Sequence, residues 1–183
     1  MSDVVSVVHE PFDFGAIDEL FSSSEPLLPP GEIGAFVEFR GVVRRTSPER
    51  TVVAMTYDGH PALIRRVLGE VIAEVRARAG VALACAVAVR LGCLKVGEAS
   101  LVIRTGSRHR PPAYAANLEI LEALKARAPI WKCEHAADGS RVWLDGCCLR
   151  SDHVGGHRHA HAPAGNDLPP PPAGHSHGHG GCT

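Results

Sequence analysis

Two lysines that flank a proline are the side chains of this sequence with the clearest chemical potential. Lys125 and Lys132 lie in the segment KARAPIWKCE at residues 125–134. A lysine that lies near other cations and is partly shielded from water by Trp131 would have a lowered pKa. A lowered pKa suits acid–base catalysis or attack on a carbonyl. Spacing alone favours a plainer interpretation, in which Lys125 and Arg127 are ordinary cations near a helix C-terminus.

A second group of cations lies between a predicted strand and a predicted helix that opens at Pro111-Pro112. Its members are Arg104, Arg108, His109 and Arg110. Cationic side chains and the unpaired N–H groups at a helix start can converge on an anion, so the sequence predicts a phosphate site here. The alternative is an ordinary solvated loop.

The six cysteines show no metal-ligand or disulfide spacing. None forms a C-x-x-C pair, and Cys85 lies in an apolar stretch where a thiol behaves as a small hydrophobe, so we expect no disulfide framework. Cys133 lies between Lys132 and Glu134 and could form a reactive thiolate, although the inert interpretation is favoured without a cause for a low pKa.

Length and composition indicate one domain with a real core. The chain has 183 residues, 45% of them hydrophobic, and 19 Lys+Arg against 20 Asp+Glu give a net charge of -1. This balance excludes a global field for holding nucleic acid or an anionic membrane, so an anion site must be local. The longest apolar run is too short to span a bilayer and the N-terminal residues lack a secretory signal pattern, which predicts a cytoplasmic protein.

The common nucleotide, zincin and hydrolase signatures are missing from the sequence. Hydrophobic periodicity and turn residues predict strands at 4–8, 33–43, 51–57, 81–89 and 99–104, and helices at 14–21, 61–79 and 112–127. We expect the strands at 33–43 and 51–57 to form a β-hairpin and 94–98 to be a turn. The last helix carries Tyr114, Leu118, Leu121 and Leu124 on its apolar face. The order of elements predicts an α+β or mixed α/β domain over residues 1–150.

Residues 151–183 form a tail with seven of the eleven histidines and a run of four prolines. A segment with so little apolar area to bury is expected to be disordered. Neutral imidazoles could bind a divalent metal, although we favour an incidental affinity over a function. The histidines concerned are His157, His159, His161, His175, His177 and His179.

Four segments together resemble a known family. They are GAFVEFRGVVR at 34–44, YDGHP at 57–61, SRHR at 107–110 and KARAPIWKCE at 125–134. In this order and spacing they resemble the large, catalytic subunit of molybdopterin synthase, and the likeness runs from Val4 to Asp145.

The resemblance implies an α/β hammerhead-type fold and a homodimer within a heterotetramer. A small ubiquitin-like sulfur-carrier subunit would dock at each end, with its C-terminal Gly-Gly thiocarboxylate in a pocket of this chain. Two sulfurs would pass to cyclic pyranopterin monophosphate to give molybdopterin, with no metal or other cofactor required. The resemblance places Lys125 and Lys132 at the reacting groups, with Lys125 the first choice for the catalytic role. His109 and Arg110 would bind the pterin phosphate from the other protomer, joined by Arg44.

Two departures from the family pattern accompany the resemblance. Ile130 stands where relatives commonly have Phe, and Cys147 or Cys148 stands where relatives have an Arg that Arg150 could replace. Two other functions stay open. One is a metal-delivery protein that acts through the His-rich tail, and the other is a degenerate subunit that keeps the fold without turnover.

Overall fold

The structure is a computed structural model that describes residues 4–23, 28–29, 31–48 and 50–144. All of these lie in Met1–Ser151, the first of the two units into which the chain divides, and Asp152–Thr183 is the second. The tail predicted to be disordered, with its six candidate metal-binding histidines, lies outside the described residues.

Strands and helices alternate along the described residues in the mixed order that the sequence predicts. They are β1 (Val5–Val8), α1 (Phe14–Ser23), β2 (Ala35–Val42), β3 (Thr46–Ser47), β4 (Arg50–Gly59), α2 (Pro61–Ala79), β5 (Ala84–Arg90), β6 (Gly92–Lys95), β7 (Ala99–Ser107), α3 (Arg110–Arg127), β8 (Ile130–Ala136) and β9 (Arg141–Trp143). The prediction of an α+β protein is confirmed.

The strands form two sheets. The first has the order β1-β5-β7-β2, with β1 parallel to β5 and the other pairs antiparallel. The second is built around β4, which pairs with β3, β6 and β8, while β8 also pairs with β9. The segment at 94–98 predicted as a turn is therefore partly strand, because Lys95 ends β6.

The predicted hairpin between β2 and β4 is wrong. β2 pairs along its length with β7, so β2 and β4 belong to different sheets. The chain crosses between the sheets just after β2, where Val43 exchanges backbone hydrogen bonds with Gly97 and Glu98 and the N–H of Val52 donates to the Arg45 carbonyl. Alternation identifies strands correctly but does not identify their partners, because the partner β7 lies far along the chain.

β5 lies between two packed layers, and every one of its residues is buried. Neighbouring residues of a strand face opposite sides of a sheet. Accordingly Cys85 and Val87 join the main core with α2 and α3, whereas Ala86 packs against Phe21 of α1. The small alanines on one side allow α1 to approach this sheet closely.

The predicted helix at 61–79 is confirmed to the residue. Pro61 is at its start, the N–H of Leu63 donates to the His60 imidazole, and Gly80 ends it in the left-handed conformation at φ 64°. No helix of the described residues is both long and apolar enough to cross a membrane.

The apolar face predicted for α3 is wrong for two residues. Tyr114 and Leu118 are 64% and 61% exposed. The face that packs on the sheet is instead displaced around the helix and includes Ala113, Ala116, Asn117, Ile120, Leu121 and Leu124. Small side chains at the first two of these positions let the helix lie close to β7, and this close approach decides which side faces inward.

A buried polar network fixes α3 on the first sheet. The Asn117 side-chain amide donates to the carbonyls of Ile103 and Val37 and to the Thr105 hydroxyl, at 3.1 to 3.4 Å. That hydroxyl in turn donates to the Ala113 carbonyl at 2.8 Å. Buried polar groups of this kind fix register, because any shift of the helix leaves them unpaired.

Cys85 is a buried free thiol, and burial raises its pKa despite the nearby Arg76 guanidinium. Cys93, by contrast, is disulfide-bonded. The expectation of no disulfide framework therefore does not hold for Cys93.

We expect replacement of Asn117 by Leu to lower the free energy of unfolding by about 1–3 kcal/mol, because buried acceptors lose their donor. Urea unfolding followed by circular dichroism measures this change. Ala115→Gln, on the exposed side of the same helix, is the matched control and should change stability little. Equal stability of Asn117→Leu and the control would show that the network does not hold α3.

Candidate active site

The predicted site residues lie at opposite ends of α3. His109 immediately precedes the helix and Arg110 is its first residue, whereas Lys125 lies in its last turn. At about 1.5 Å of rise per residue, the backbone positions of Arg110 and Lys125 are about 22 Å apart. We call His109 with Arg110 the anion end, and Lys125 with Lys132 the lysine end. The predicted site residues of one chain therefore fall into two separate groups, which we call half-sites.

The anion end depends on side chains more than on backbone groups. His109 has an extended backbone and makes no side-chain capping hydrogen bond, and both His109 and Arg110 are exposed. Pro111 and Pro112 follow within the first turn and lack N–H groups. The expectation that free helix N–H groups converge on an anion is thus weakened, and the imidazole and guanidinium remain as the donors.

Arg104 and Arg108 do not belong to the anion end, which corrects the predicted cluster. The buried Arg104 guanidinium forms ion pairs with Glu38, at 2.7 Å, and with Asp18 of α1. Arg108 forms an ion pair with Glu32. Arg104 faces α1 because neighbouring residues of β7 alternate between the faces of the sheet, and Thr105 faces α3.

The carboxyl of Glu38 is held in its charged form by arginines. Burial opposes its ionisation, but hydrogen bonds from Arg104 and Arg40 lower the pKa of Glu38 below its ordinary value. Arg40 also stacks over the Phe14 ring at 4.1 Å. These contacts anchor α1 to β2. Both arginines therefore have structural partners.

A close approach of two backbones fixes the loop before α3. The N–H of Gly34 donates to the Ser107 carbonyl at 3.1 Å. A Cβ atom at Gly34 would lie well inside van der Waals contact with the Arg108 carbonyl oxygen. Only glycine permits this approach, which sets where the anion end begins.

The lysine end is formed where α3 gives way to β8. Lys125 is about half exposed and forms an ion pair with Glu122 at 3.3 Å. Lys132 is partly buried on β8, and its ammonium lies 5.9 Å from the centre of the Tyr57 ring. Trp131 is 58% exposed and, as the preceding strand residue, faces the other side of the sheet. The shielding of a lysine by Trp131 therefore does not apply to Lys132, whose neighbouring ring belongs to Tyr57.

Arg127 has a structural role at this end of α3. Its guanidinium binds both carboxylate oxygens of Glu74 on α2, at 2.6 and 3.0 Å. The hydrogen bonds from Arg127 lower the pKa of Glu74 and raise the pKa of Arg127 itself. The plain interpretation of a helix C-terminal cation thus holds for Arg127, which joins the two helices.

The connection between Lys125 and Lys132 passes close to the end of β4. A Cβ atom at Gly59 would lie 2.7 Å from the Pro129 carbonyl oxygen and 2.8 Å from the Ile64 side chain. Gly59 also pairs across the sheet with Ile130. The absence of a side chain at Gly59 therefore lets Pro129 and β8 lie against β4, which positions Lys132.

Arg44 lies far from the anion end of the same chain. Ala35 at the start of β2 pairs with Ser107, beside the anion end, and β2 then runs away from it to Val42. Arg44 is exposed beyond that far end. It is followed by Arg45, whose carbonyl accepts a hydrogen bond from the N–H of Val52 on β4. Arg44 thus approaches the sheet that carries Lys132.

Cys133 is a buried free thiol, and burial raises its pKa. This agrees with the inert interpretation. The neighbouring His135 was not singled out from the sequence. Its imidazole makes a 2.7 Å hydrogen bond with the Thr56 hydroxyl, and burial, with a contribution from Arg141, lowers its pKa.

Among the described residues, no three His, Cys, Asp or Glu side chains are placed to hold a metal ion. Cys147, Cys148 and Arg150, the positions of the departure from the family pattern, lie outside the described residues. The role of Arg150 as a substitute stays a prediction.

Comparison with known proteins identifies relatives over most of the chain. A profile of the family described as MoaE protein matches residues 7–127. A relative from Synechococcus elongatus named Molybdopterin synthase catalytic subunit is 42% identical over 116 residues, which cover 63% of this chain and 70% of the relative. A relative of the same name from Pasteurella multocida is 32% identical over 146 residues, or 79% of this chain and 92% of the relative.

Two solved structures share the fold. The molybdopterin biosynthesis MoaE protein of Burkholderia ambifaria has a TM-score of 0.63 at 27% identity, over 82% of this chain and 92% of that chain. Molybdopterin synthase from Staphylococcus aureus has a TM-score of 0.67 at 24% identity, over 79% and 98%.

The two sheets and three helices of the described residues define a mixed α+β protein with the fold of molybdopterin synthase. The relatives that match over most of their length are catalytic subunits of that enzyme. The chain belongs to the MoaE protein family.

The ion pair between Glu38 and Arg104 predicts a pH dependence of stability. Because the folded-state pKa of Glu38 is below its ordinary value of 4.5, its stabilising contribution is present above that pH and is lost as the pH falls through the folded value. Glu38→Gln should lower the free energy of unfolding at neutral pH by about 1–3 kcal/mol, and the difference from wild type should shrink on acidification.

Urea unfolding at a series of pH values from neutral to acid tests this expectation. Glu19→Gln, an exposed carboxylate on α1, controls for the loss of one negative charge. A difference that stays constant across the series would contradict the assigned role of Glu38.

Proposed function

We propose that this protein is the catalytic subunit of molybdopterin synthase. It transfers two sulfurs from the thiocarboxylated C-terminus of a small sulfur-carrier subunit to cyclic pyranopterin monophosphate. The observation that carries the proposal is the family membership, with relatives of that name matching over 70% and 92% of their own length. The proposal includes a cytoplasmic location and catalysis that needs no metal.

Lys125 and Lys132 are the proposed catalytic residues. The thiocarboxylate and the substrate phosphate are both anions, so bringing them together requires fixed cations that offset their repulsion. The half-exposed Lys125 at the end of a rigid helix suits a general acid/base or an electrostatic stabiliser of acyl transfer. Lys132 on the adjoining strand would contact the same reacting groups, and Arg44 would add charge from the connection between β2 and β3.

A small carrier subunit is the proposed partner. A structure from Helicobacter pylori with a TM-score of 0.61 at 19% identity bears the description protein-protein complex of subunits 1 and 2 of molybdopterin-converting factor. This likeness supports an assembly of this chain with a second, different subunit.

A second copy of this chain is also part of the proposal, because the half-sites are about 22 Å apart. The exposed side of α3 carries Arg110, Tyr114, Leu118, Glu122 and Lys125 at helical spacing. Two such faces related by a twofold axis perpendicular to the helices would run antiparallel. That arrangement covers the two exposed apolar side chains and brings the anion end of one copy to the lysine end of the other.

The metal-delivery alternative rests on the tail, whose histidines lie outside the described residues. In the proposal, any divalent metal bound there is adventitious. The degenerate-subunit alternative is weakened by the presence of Lys125, Lys132, His109, Arg110 and Arg44 in one chain.

Lys125→Ala should reduce single-turnover formation of molybdopterin by about 100-fold or more, because a catalytic cation is lost. The assay uses purified protein, thiocarboxylated carrier and cyclic pyranopterin monophosphate. A chain ending at Arg150 is the matched control and should keep wild-type turnover. Loss of turnover on truncation, with Lys125→Ala active, would instead favour the tail as the working part.

A site shared between two copies predicts complementation between inactive variants. His109→Ala and Lys125→Ala alter different half-sites, so their mixed dimer contains one intact site. Random pairing in co-expression should restore about a quarter of wild-type turnover.

Co-expression of Lys125→Ala with Lys132→Ala is the matched control for this experiment. Both changes fall in the same half-site, so no intact site can form. Isolated mixed dimers of the first pair that remain inactive would contradict the shared site.

A further inference from the structure

Tyr57 and Lys132 form an aromatic–cation pair at the lysine end. They lie directly across from each other on β4 and β8. The Lys132 ammonium is 5.9 Å from the centre of the Tyr57 ring. A cation within about 6 Å of a ring centre is attracted by the negative face of the ring.

The ring of Tyr57 is itself held in place. It is partly buried and packs against the main core, which includes Leu124 at the end of α3 and Ile130 at the start of β8. On the other side of β4, the residue across from Tyr57 is Gly92, which has no side chain. In the register of the described strands, Lys132 is therefore the cross-strand neighbour that can contact the ring.

Within the described part of the chain, no carboxylate forms an ion pair with Lys132, whereas Lys125 pairs with Glu122. A lysine side chain has four flexible carbons, so an unrestrained ammonium would sample many positions. The Tyr57 ring is the group in contact that can restrict it without neutralising its charge.

We propose that Tyr57 is a positioning residue that holds the Lys132 ammonium in one orientation for sulfur transfer. This inference rests on the proposed function for its catalytic meaning. The ring provides the contact and the core provides its rigidity. Because the attraction comes from the ring face, the phenol hydroxyl is not required.

The contact can be tested without turnover by measuring how fast the Lys132 amine reacts with a small acylating reagent. Mass spectrometry of the labelled peptides gives the rate at each lysine. Tyr57→Leu should raise the Lys132 rate by about threefold or more, since a released amine is more accessible, and Tyr57→Phe should leave it near wild type. Lys125 is the internal reference and should not change.

Single-turnover sulfur transfer tests the catalytic meaning. Tyr57→Leu should lower the rate constant at saturating carrier by about 3- to 30-fold, and Tyr57→Phe should stay within about twofold of wild type. In a Lys132→Gln background, Tyr57→Leu should cause no further loss, because the contact is already absent. Met55→Leu, on the same face of β4 but paired with Glu134, is the matched control.

Tyr57→Met provides a second ring deletion, and thermal unfolding followed by circular dichroism checks that each variant is folded. The proposal is overturned if ring deletion leaves both the Lys132 labelling rate and turnover unchanged, or if Tyr57→Phe is as slow as Tyr57→Leu. An equal loss in the Lys132→Gln background would also overturn it. An inactive wild type would refute the proposed function instead, and the labelling result would still decide the contact.

Discussion

The position and length of helix α3 set where most of the candidate site residues lie. The helix lies close to the first sheet through Ala113 and Ala116, and the buried amide of Asn117 prevents it from sliding. Because a helix is a rigid rod, the cations at its two ends cannot approach each other within one chain. In the proposed function, a second copy of the chain on the exposed face between those ends would bring the two groups of cations together.

The same fold decides which cations are available for an anionic ligand. Arg104 is buried and bound to Glu38 and Asp18, because an unpaired guanidinium inside the protein would be costly. Arg127 is bound to Glu74, and this ion pair joins α3 to α2. Lys125, His109 and Arg110 remain exposed at the helix ends. The ion pair of Lys125 with Glu122 is exposed and therefore weak, so these three cations stay available to an anion.

The second sheet fixes the position of Lys132 at the lysine end. Gly59 lets Pro129 approach β4, and the register of β8 on β4 then places Lys132 beside Tyr57. Neighbouring strand residues face opposite sides, so a shift of one residue would place Trp131 there instead. The surroundings of Lys132 thus depend on strand register more than on its neighbours in sequence.

Local signals in the sequence predicted the three helices and the main strands of the described chain, and the family resemblance supplied the candidate site residues. Pro61 and Gly80 bound α2, and alternation marks the main strands, because helix ends and strand periodicity are properties of nearby residues. Tertiary structure alone decided that β2 pairs with β7, that Tyr114 faces outward, and that Arg104 is neutralised by Glu38. Each of these depends on residues distant in sequence, whose packing and charge pairing have no local pattern.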